Sequence, residues 1–205
     1  MQSGSASDLQ AALQNLRAVI ELANKLGDRA TSKLASLFEV LVHLRTASSD
    51  SVEQVQRAMA AANAYQLEEG AQIPQLVALS HILDLASSLV QVPNADGQQK
   101  LSAMIKKMEE VRVDQNWGLH DDKIYIPVSS NSSHGQIVSH DTRSILETDE
   151  SGRNFLAVSW LPKSHTFAVV YFLAGVCCRA TDTVKADKYF KEVLKVLTGK
   201  PMTFI

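Results

Sequence analysis

The sequence holds little of what marks a membrane, nucleic-acid-binding or metal-dependent protein. Its net charge is only −2 over 205 residues, so there is no global electrostatic case for binding nucleic acid or an anionic membrane. The longest apolar run, Phe167–Cys178, is shorter than the about 20 residues that a membrane span needs. Neither a phosphate-cradling glycine loop nor an H-E-x-x-H helix occurs. We therefore expect no membrane, no direct nucleic-acid partner, no metal and no cofactor.

Cysteine is equally scarce, with Cys177 and Cys178 adjacent in an apolar stretch. Neighbouring cysteines form only a strained disulfide, and a secreted framework would hold more of them. A zinc site would need further ligands at suitable spacing. These features predict two reduced, buried thiols in a cytosolic or nuclear protein.

Aromatic residues make up only 6% of the chain, while Ala and Leu dominate its first half, which favours helices. Five segments before residue 113 and two after residue 157 carry apolar residues at helical spacing. Residues suited to helix starts and ends stand at their borders. Predicted caps are Ser7 or Asp8, Asp28, Asp50, Asp96 and Asp182; Pro74 and Pro162 suit first turns, and Gly27 and Gly199 suit carboxyl ends.

The spacing of these helices indicates a repeat. The caps at positions 8, 50 and 96 lie roughly 42 and 46 residues apart, and position 182 follows at about twice that distance. The last pair has the small residues Ala174 and Gly175 and an Ala186-x-x-x-Phe190 spacing, as in tetratricopeptide repeats. We therefore predict an all-α fold: a single domain over residues 1–205 built as a tetratricopeptide-like solenoid. A plain antiparallel helical bundle is the alternative.

Residues 113–157 do not fit the repeat and are predicted to form one long inserted loop. The segment far exceeds the 12–15 residues beyond which loops become uncommon. Within it "KIYIPVS" (123–129) alternates Ile124, Ile126 and Val128, which suits a short strand. An insertion between repeats usually lies on one face of a solenoid.

Two constellations of polar residues have a chemical and a structural interpretation. Ser139-His140-Asp141 contains the residue types of a hydrolase triad, but triads converge in space rather than in sequence, and no G-x-S-x-G elbow is present. "HDDK" at 120–123 offers an imidazole and two carboxylates, but no further ligand cluster accompanies it. We expect no catalysis from the first and a surface turn from the second.

Two groups of residues are candidates for binding a partner. In a tetratricopeptide-like array the first helix of each pair lines the concave groove. Polar residues there can hold an extended peptide by its backbone and carboxylates, although a histidine within an apolar helix is more often a packing residue. The predicted groove set is Lys33, Leu37, His43, His81, Tyr171 and Arg179.

The second candidate is a lysine-rich face of the last helix. Lys185, Lys188, Lys191 and Lys195 fall within an arc of about 120°, opposite Val184, Tyr189, Phe190, Val193 and Leu197. This arrangement suits a docking patch for an acidic partner. The alternative is a solvated face partly neutralised by Asp187 and Glu192.

Two sequence elements together resemble the cohesin-loading-factor family. "LHDDKI" (119–124) and "SWLPKSH" (159–165), followed by an apolar helix and "KADKYFKEVLKVL", carry the resemblance. The upstream helices follow the family's order more weakly. One departure is that about 34 residues separate Ile124 from the flank of Trp160, where the family has a short connection.

The resemblance implies a nuclear, chromatin-associated scaffold without enzymatic activity. In the family this subunit wraps around the extended N-terminal segment of the large HEAT-repeat loader subunit, and the pair helps to load cohesin onto chromatin. Cohesin and chromatin would then be indirect partners. Trp160, Leu161 and Pro162 are expected to be architectural. The resemblance covers only an interior portion of the family's longer protein, so apolar helix faces left uncovered at the two ends of this fragment also predict self-association.

Two rival functions remain open at this stage. One is a generic tetratricopeptide co-chaperone module that clamps C-terminal carboxylates, which needs two or more lysines or arginines converging in one groove. The other is an enzyme that uses the Ser, His and Asp residues of the inserted loop.

Overall fold

The computed structural model describes residues 6–46, 51–67, 73–90, 101–108, 110, 117, 121–128 and 146–200. These residues form seven helices and three strands. In chain order they are α1 (Ala6–Leu26), α2 (Arg29–Arg45), α3 (Ser51–Ala64), α4 (Pro74–Val90), α5 (residues 101–108), β1 (Lys123–Pro127), β2 (Leu146–Thr148), β3 (Asn154–Ser159), α6 (Lys163–Cys178) and α7 (Thr183–Leu197). The mostly helical character expected from the sequence is confirmed.

Side-chain caps fix the starts of α2 and α7 where the sequence predicts them. Asp28 accepts a hydrogen bond from the Thr31 backbone N–H at 3.0 Å, and Asp182 accepts one from the Lys185 N–H at 2.9 Å. Each bond satisfies a donor that the first helical turn leaves unpaired. Asp8 lies in the first turn of α1 instead of at its cap, and the predicted caps Asp50 and Asp96 lie outside the described residues.

The helices pack largely in chain order. Helix α1 packs on α2, α2 packs on α3 and α4, α4 packs on α6, and α6 packs on α7. Helix α4 is central because two of its faces are apolar. Leu76, Leu79 and Leu83 join an amino-terminal cluster with α2, α3 and β1. The face bearing Ala78, Ile82 and Leu85 joins a carboxy-terminal cluster with α5, α6 and α7.

A three-stranded antiparallel sheet, ordered β1-β3-β2, lies where the sequence analysis predicts an inserted loop. The fold is therefore not all-α, although β1 coincides with the strand suggested by "KIYIPVS". Ile124 pairs with Val158 and Ile126 with Leu156, and all four belong to or pack against the amino-terminal cluster. Burial of this apolar face against helices stabilises strands that would be too short to persist alone.

A tight turn joins β2 to β3. The Asp149 carboxylate accepts hydrogen bonds from the backbone N–H groups of Ser151 and Arg153, both at 2.9 Å, and its other oxygen lies 2.8 Å from the Arg153 guanidinium. Gly152 has φ +80°, a left-handed conformation that side chains disfavour. The Ser151 hydroxyl, the Arg153 N–H and the guanidinium together lower the Asp149 pKa to about 2.

The outermost helices leave apolar side chains exposed. Val184 and Leu197, expected on the buried face of α7, are 70% and 66% exposed, and Leu26 of α1 is 83% exposed. Helices α1 and α7 each pack on one neighbouring helix among the described elements, so positions turned away from that neighbour stay uncovered. Val19 and Leu22 extend the exposed face of α1, and Leu194 extends that of α7.

Candidate partner-binding surfaces

Half of the predicted groove residues lie in the interior. Leu37, His43 and Tyr171 are all buried, at 0%, 5% and 2% exposure. Helix α2 is covered by α1, α3 and α4, so more of its circumference is buried than in a groove-lining helix. Tyr171 stacks on Tyr189 of α7 with ring centroids 5.8 Å apart. A partner cannot reach these three side chains in this fold, and we leave them out of any proposed surface.

Lys33 and His81, by contrast, share one surface with a lysine that the sequence analysis missed. Lys33 belongs to α2, His81 to α4 and Lys107 to α5, and both lysines lower the pKa of His81 electrostatically. Burial is the largest cause of that lowered pKa, and burial also lowers the pKa of Lys33. Each lysine therefore lies near enough to His81 to disfavour its protonated form.

An open cleft of about 340 Å³ lies between α4 and α5 at this point. Its lining combines two basic residues, an acidic residue, two hydroxyls and two apolar side chains. The lining residues are His81, Asp84, Ser87, Ser88, Ala103, Met104 and Lys107. The hydroxyls of Ser87 and Ser88 donate to the Asp84 carbonyl at 2.8 and 2.9 Å. We call this feature the α4–α5 cleft.

The sequence alone does not identify Lys107 as a cleft residue, because that assignment needs the packing of α5 against α4. Met104 and Lys107 lie three residues apart and share a helix face, so a wheel of residues 101–108 groups them. The sequence does not say that this face borders His81 on α4. Arg179, the remaining groove prediction, is exposed just after α6 and does not line the cleft.

Acidic residues of α7 itself partly neutralise the lysine-rich face of this helix. Lys191 pairs with Asp187 at 2.6 Å and Lys195 pairs with Glu192 at 2.6 Å. The side chain of Lys195 is only 33% exposed. Lys188 is exposed and Lys185 is half-buried. The solvated-face alternative describes these pairs better than a concentrated docking patch does.

The two elements that carry the family resemblance meet in space. The Trp160 backbone N–H donates to the Asp122 carbonyl at 2.7 Å, and the Trp117 indole N–H donates to the Asp121 carbonyl at 3.1 Å. Lys163 lies over the Trp117 ring, with its Nζ 5.1 Å from the centroid. The Asp122 carbonyl thus ties the residue just before β1 to Trp160, in the short connection between β3 and α6. This geometry supports the architectural interpretation of Trp160.

The remaining residues singled out in the sequence lie partly inside and partly outside the described part of the chain. Ser139, His140 and Asp141 lie outside the described residues, as does His120. Both cysteines are free, Cys178 being buried and Cys177 half-buried, and burial raises the pKa of each thiol. Among the described helices, none combines the length and apolar character required to cross a bilayer.

A family model described as "Cohesin loading factor" matches residues 1–203, nearly the whole chain. Neither the curated proteins nor the solved structures gave a match.

Proposed function

The chain belongs to the cohesin loading factor family, and from this premise we propose that it is a non-enzymatic adaptor of the cohesin loader that binds an extended segment of the loader's large HEAT-repeat subunit. Membership of the family places the protein in cohesin loading, a chromatin process that underlies sister-chromatid cohesion. The adaptor role and the identity of the partner are our inference.

The packing of the helices supports a repeat scaffold. Helices that contact mainly their neighbours in the chain form a stack, and a stack offers one continuous side to a ligand. The final pair, α6 and α7, crosses closely at Gly175, where an added Cβ would lie 2.7 Å from the Phe190 ring. A small residue at this position allows the two helices of a tetratricopeptide-type pair to cross closely. On this basis we propose a tetratricopeptide-like array.

The observation that carries the proposal is the surface shared by Lys33, His81 and Lys107. His81 and Lys107 line one cleft and Lys33 lies near His81, so groups from three helices, α2, α4 and α5, come together across the stack. A surface built from successive helices suits an extended segment, which meets them one after another. A segment that orders only on binding can bury a large area in this way.

Co-precipitation tests the proposal. The purified chain is mixed with the tagged N-terminal segment of the large loader subunit, and with a scrambled segment of the same composition as control. We expect capture of the native segment and not of the scrambled one. Failure to capture the native segment from either orientation of the tag would contradict the adaptor role.

A further inference from the structure

We propose that the α4–α5 cleft, with Lys33 beside it, binds side-chain carboxylates of an acidic stretch within an extended peptide. The inference rests on the proposed adaptor function, because it names the chemistry of the partner segment. It goes beyond that function in assigning a site and a ligand class to Lys33, His81 and Lys107.

Charge balance is the first argument. Two lysines carry positive charge here, Lys107 in the lining of the cleft and Lys33 close to His81, whereas the lining holds one acidic residue, Asp84. Among the described residues, no salt bridge joins either lysine to a carboxylate. By contrast, Lys25, Lys191 and Lys195 all have acidic partners on their own helices. The cleft therefore holds positive charge that the described part of the fold does not balance.

The second argument is the partial burial of this charge. Lys33 and His81 are half-buried, and burial is the main cause of the lowered pKa at both. Charges that are partly withdrawn from water interact more strongly than charges on an open surface. A carboxylate within about 4 Å would relieve the repulsion among the basic groups and favour protonation of His81.

The third argument is size and shape. A cleft of about 340 Å³ lies at the small end of ligand sites and holds a few side chains, not a folded domain. Ala103 and Met104 add apolar groups to the lining, suited to an aliphatic side chain next to the acidic ones. Nucleic acid fits less well, because phosphate backbones are bound by longer tracks of cations than two lysines and a histidine.

Fluorescence anisotropy with a defined probe tests the site. The probe is a labelled peptide in which glutamates alternate with leucines, acetylated and amidated so that it carries no terminal charge. We expect saturable binding that Lys107→Glu weakens by at least about tenfold, equivalent to about 1.4 kcal/mol. The matched control is Lys106→Glu, an equal charge change at an exposed neighbour that does not line the cleft, which should alter affinity less than about twofold.

Three outcomes would overturn the assignment. One is unchanged affinity in Lys107→Glu, and another is equal weakening by Lys106→Glu, which would mean a general charge effect. The third is much tighter binding of the same peptide with a free C-terminus, which would mean a terminal-carboxylate clamp of the co-chaperone kind. Circular dichroism of each variant verifies folding, and the exposed position of Lys107 makes misfolding unexpected.

The same variants separate this inference from the adaptor proposal. If the wild-type chain and Lys107→Glu capture the large-subunit segment equally, the adaptor role stands and the cleft assignment fails. If the acidic probe binds with the expected sensitivity to Lys107→Glu while the native segment is not captured, the cleft assignment stands and the adaptor role fails.

Discussion

Among single residues, Gly175 determines how closely the last two helices approach. A Cβ at this position would lie 2.7 Å from Phe190 Cε1, too near for either group to stay in place. The Phe190 ring is itself held beside Phe172, with centroids 6.1 Å apart. The glycine costs helix propensity, and the fold keeps it because the ring occupies the space that a side chain would need.

Gly175→Ala should therefore destabilise the wild-type chain despite its better helix propensity. Overpacking typically costs about 1–3 kcal/mol, whereas alanine gains up to about 1 kcal/mol over glycine in a helix. In a Phe190→Leu background the same change should become neutral or stabilising, since the shorter side chain vacates the space. Urea unfolding of the four chains of this cycle measures the coupling; equal effects of Gly175→Ala in both backgrounds would show that the two residues do not oppose each other.

His81 makes a pH-dependent contribution to stability. The charged groups around the imidazole are Lys33 of α2, Lys107 of α5 and Asp84 of its own helix. Burial, together with the two lysines, lowers the pKa of His81. The unfolded chain therefore binds a proton below about pH 6.5 more readily than the folded chain does. Stability should fall as the pH drops through this range, and be fully present above it.

Replacing the imidazole tests that dependence. His81→Gln should reduce the loss of unfolding free energy between about pH 7.5 and about pH 5.5, because the titrating group is gone. Urea unfolding at both pH values gives the comparison. Arg179→Gln, an exposed change outside the cleft, is the control and should keep the wild-type slope. An identical pH dependence in His81→Gln would mean that other groups cause it.

Among the elements, the β2–β3 hairpin depends on one carboxylate. Asp149 accepts from two backbone N–H groups and from the Ser151 hydroxyl, all within the turn. Its pKa of about 2 lies below the ordinary value, so the contribution is present above about pH 4 and is lost as the pH falls toward 2. The turn thus holds β2 against the central strand β3 at neutral pH.

Asp149→Ala should loosen the hairpin without unfolding the helices. Because the Arg153 amide loses its acceptor, its hydrogen exchange should accelerate by about tenfold or more, which nuclear magnetic resonance measures residue by residue. Glu150→Ala changes the exposed neighbouring residue and should leave the exchange rate near that of the wild type. Unchanged exchange of Arg153 in Asp149→Ala would contradict the role given to this carboxylate.

The elements differ in how far the sequence predicts them, for physical reasons. Helices α2, α4 and α7 were located from Asp28, Pro74 and Asp182, because capping and first-turn preferences are local. Strand β1 was suggested by alternating isoleucines. Strands β2 and β3 were missed, since "LET" is too short for a pattern and "NFLAVS" does not alternate. These two segments form strands only because they pair with other segments of the sheet.

The candidate site is predictable only in part for the same reason. Helix position predicts Lys33 and His81, but it does not reveal that Leu37, His43 and Tyr171 are buried, because periodicity does not show which helices cover which face. Lys107 required the contact between α4 and α5. Long-range packing, which a single helix pattern does not encode, decides all four cases.

For the whole molecule, the uncovered faces of the first and last helices predict self-association. Val19, Leu22 and Leu26 form one exposed apolar face, and Val184, Leu194 and Leu197 are exposed on α7. Exposed apolar faces of this kind tend to become buried through association with another chain. Light scattering after size-exclusion chromatography should show a molar mass that rises with concentration.

Polar substitution of the α1 face should reverse this behaviour. Leu22→Glu with Leu26→Glu should shift the chain toward the monomer mass at all concentrations, since both side chains are exposed and neither supports the core. Gln10→Glu with Gln14→Glu adds the same charge to exposed polar positions of the same helix and should leave association unchanged. A wild-type chain that stays monomeric at high concentration would contradict the prediction.

The central claim is that the stacked helices bind an extended segment of the large loader subunit. Isothermal titration calorimetry of the chain with that N-terminal segment, at two temperatures, tests it most directly. We expect saturation at one segment per chain and a negative heat-capacity change, because an ordering segment buries apolar surface across several helices. No saturable binding at either temperature would contradict the account.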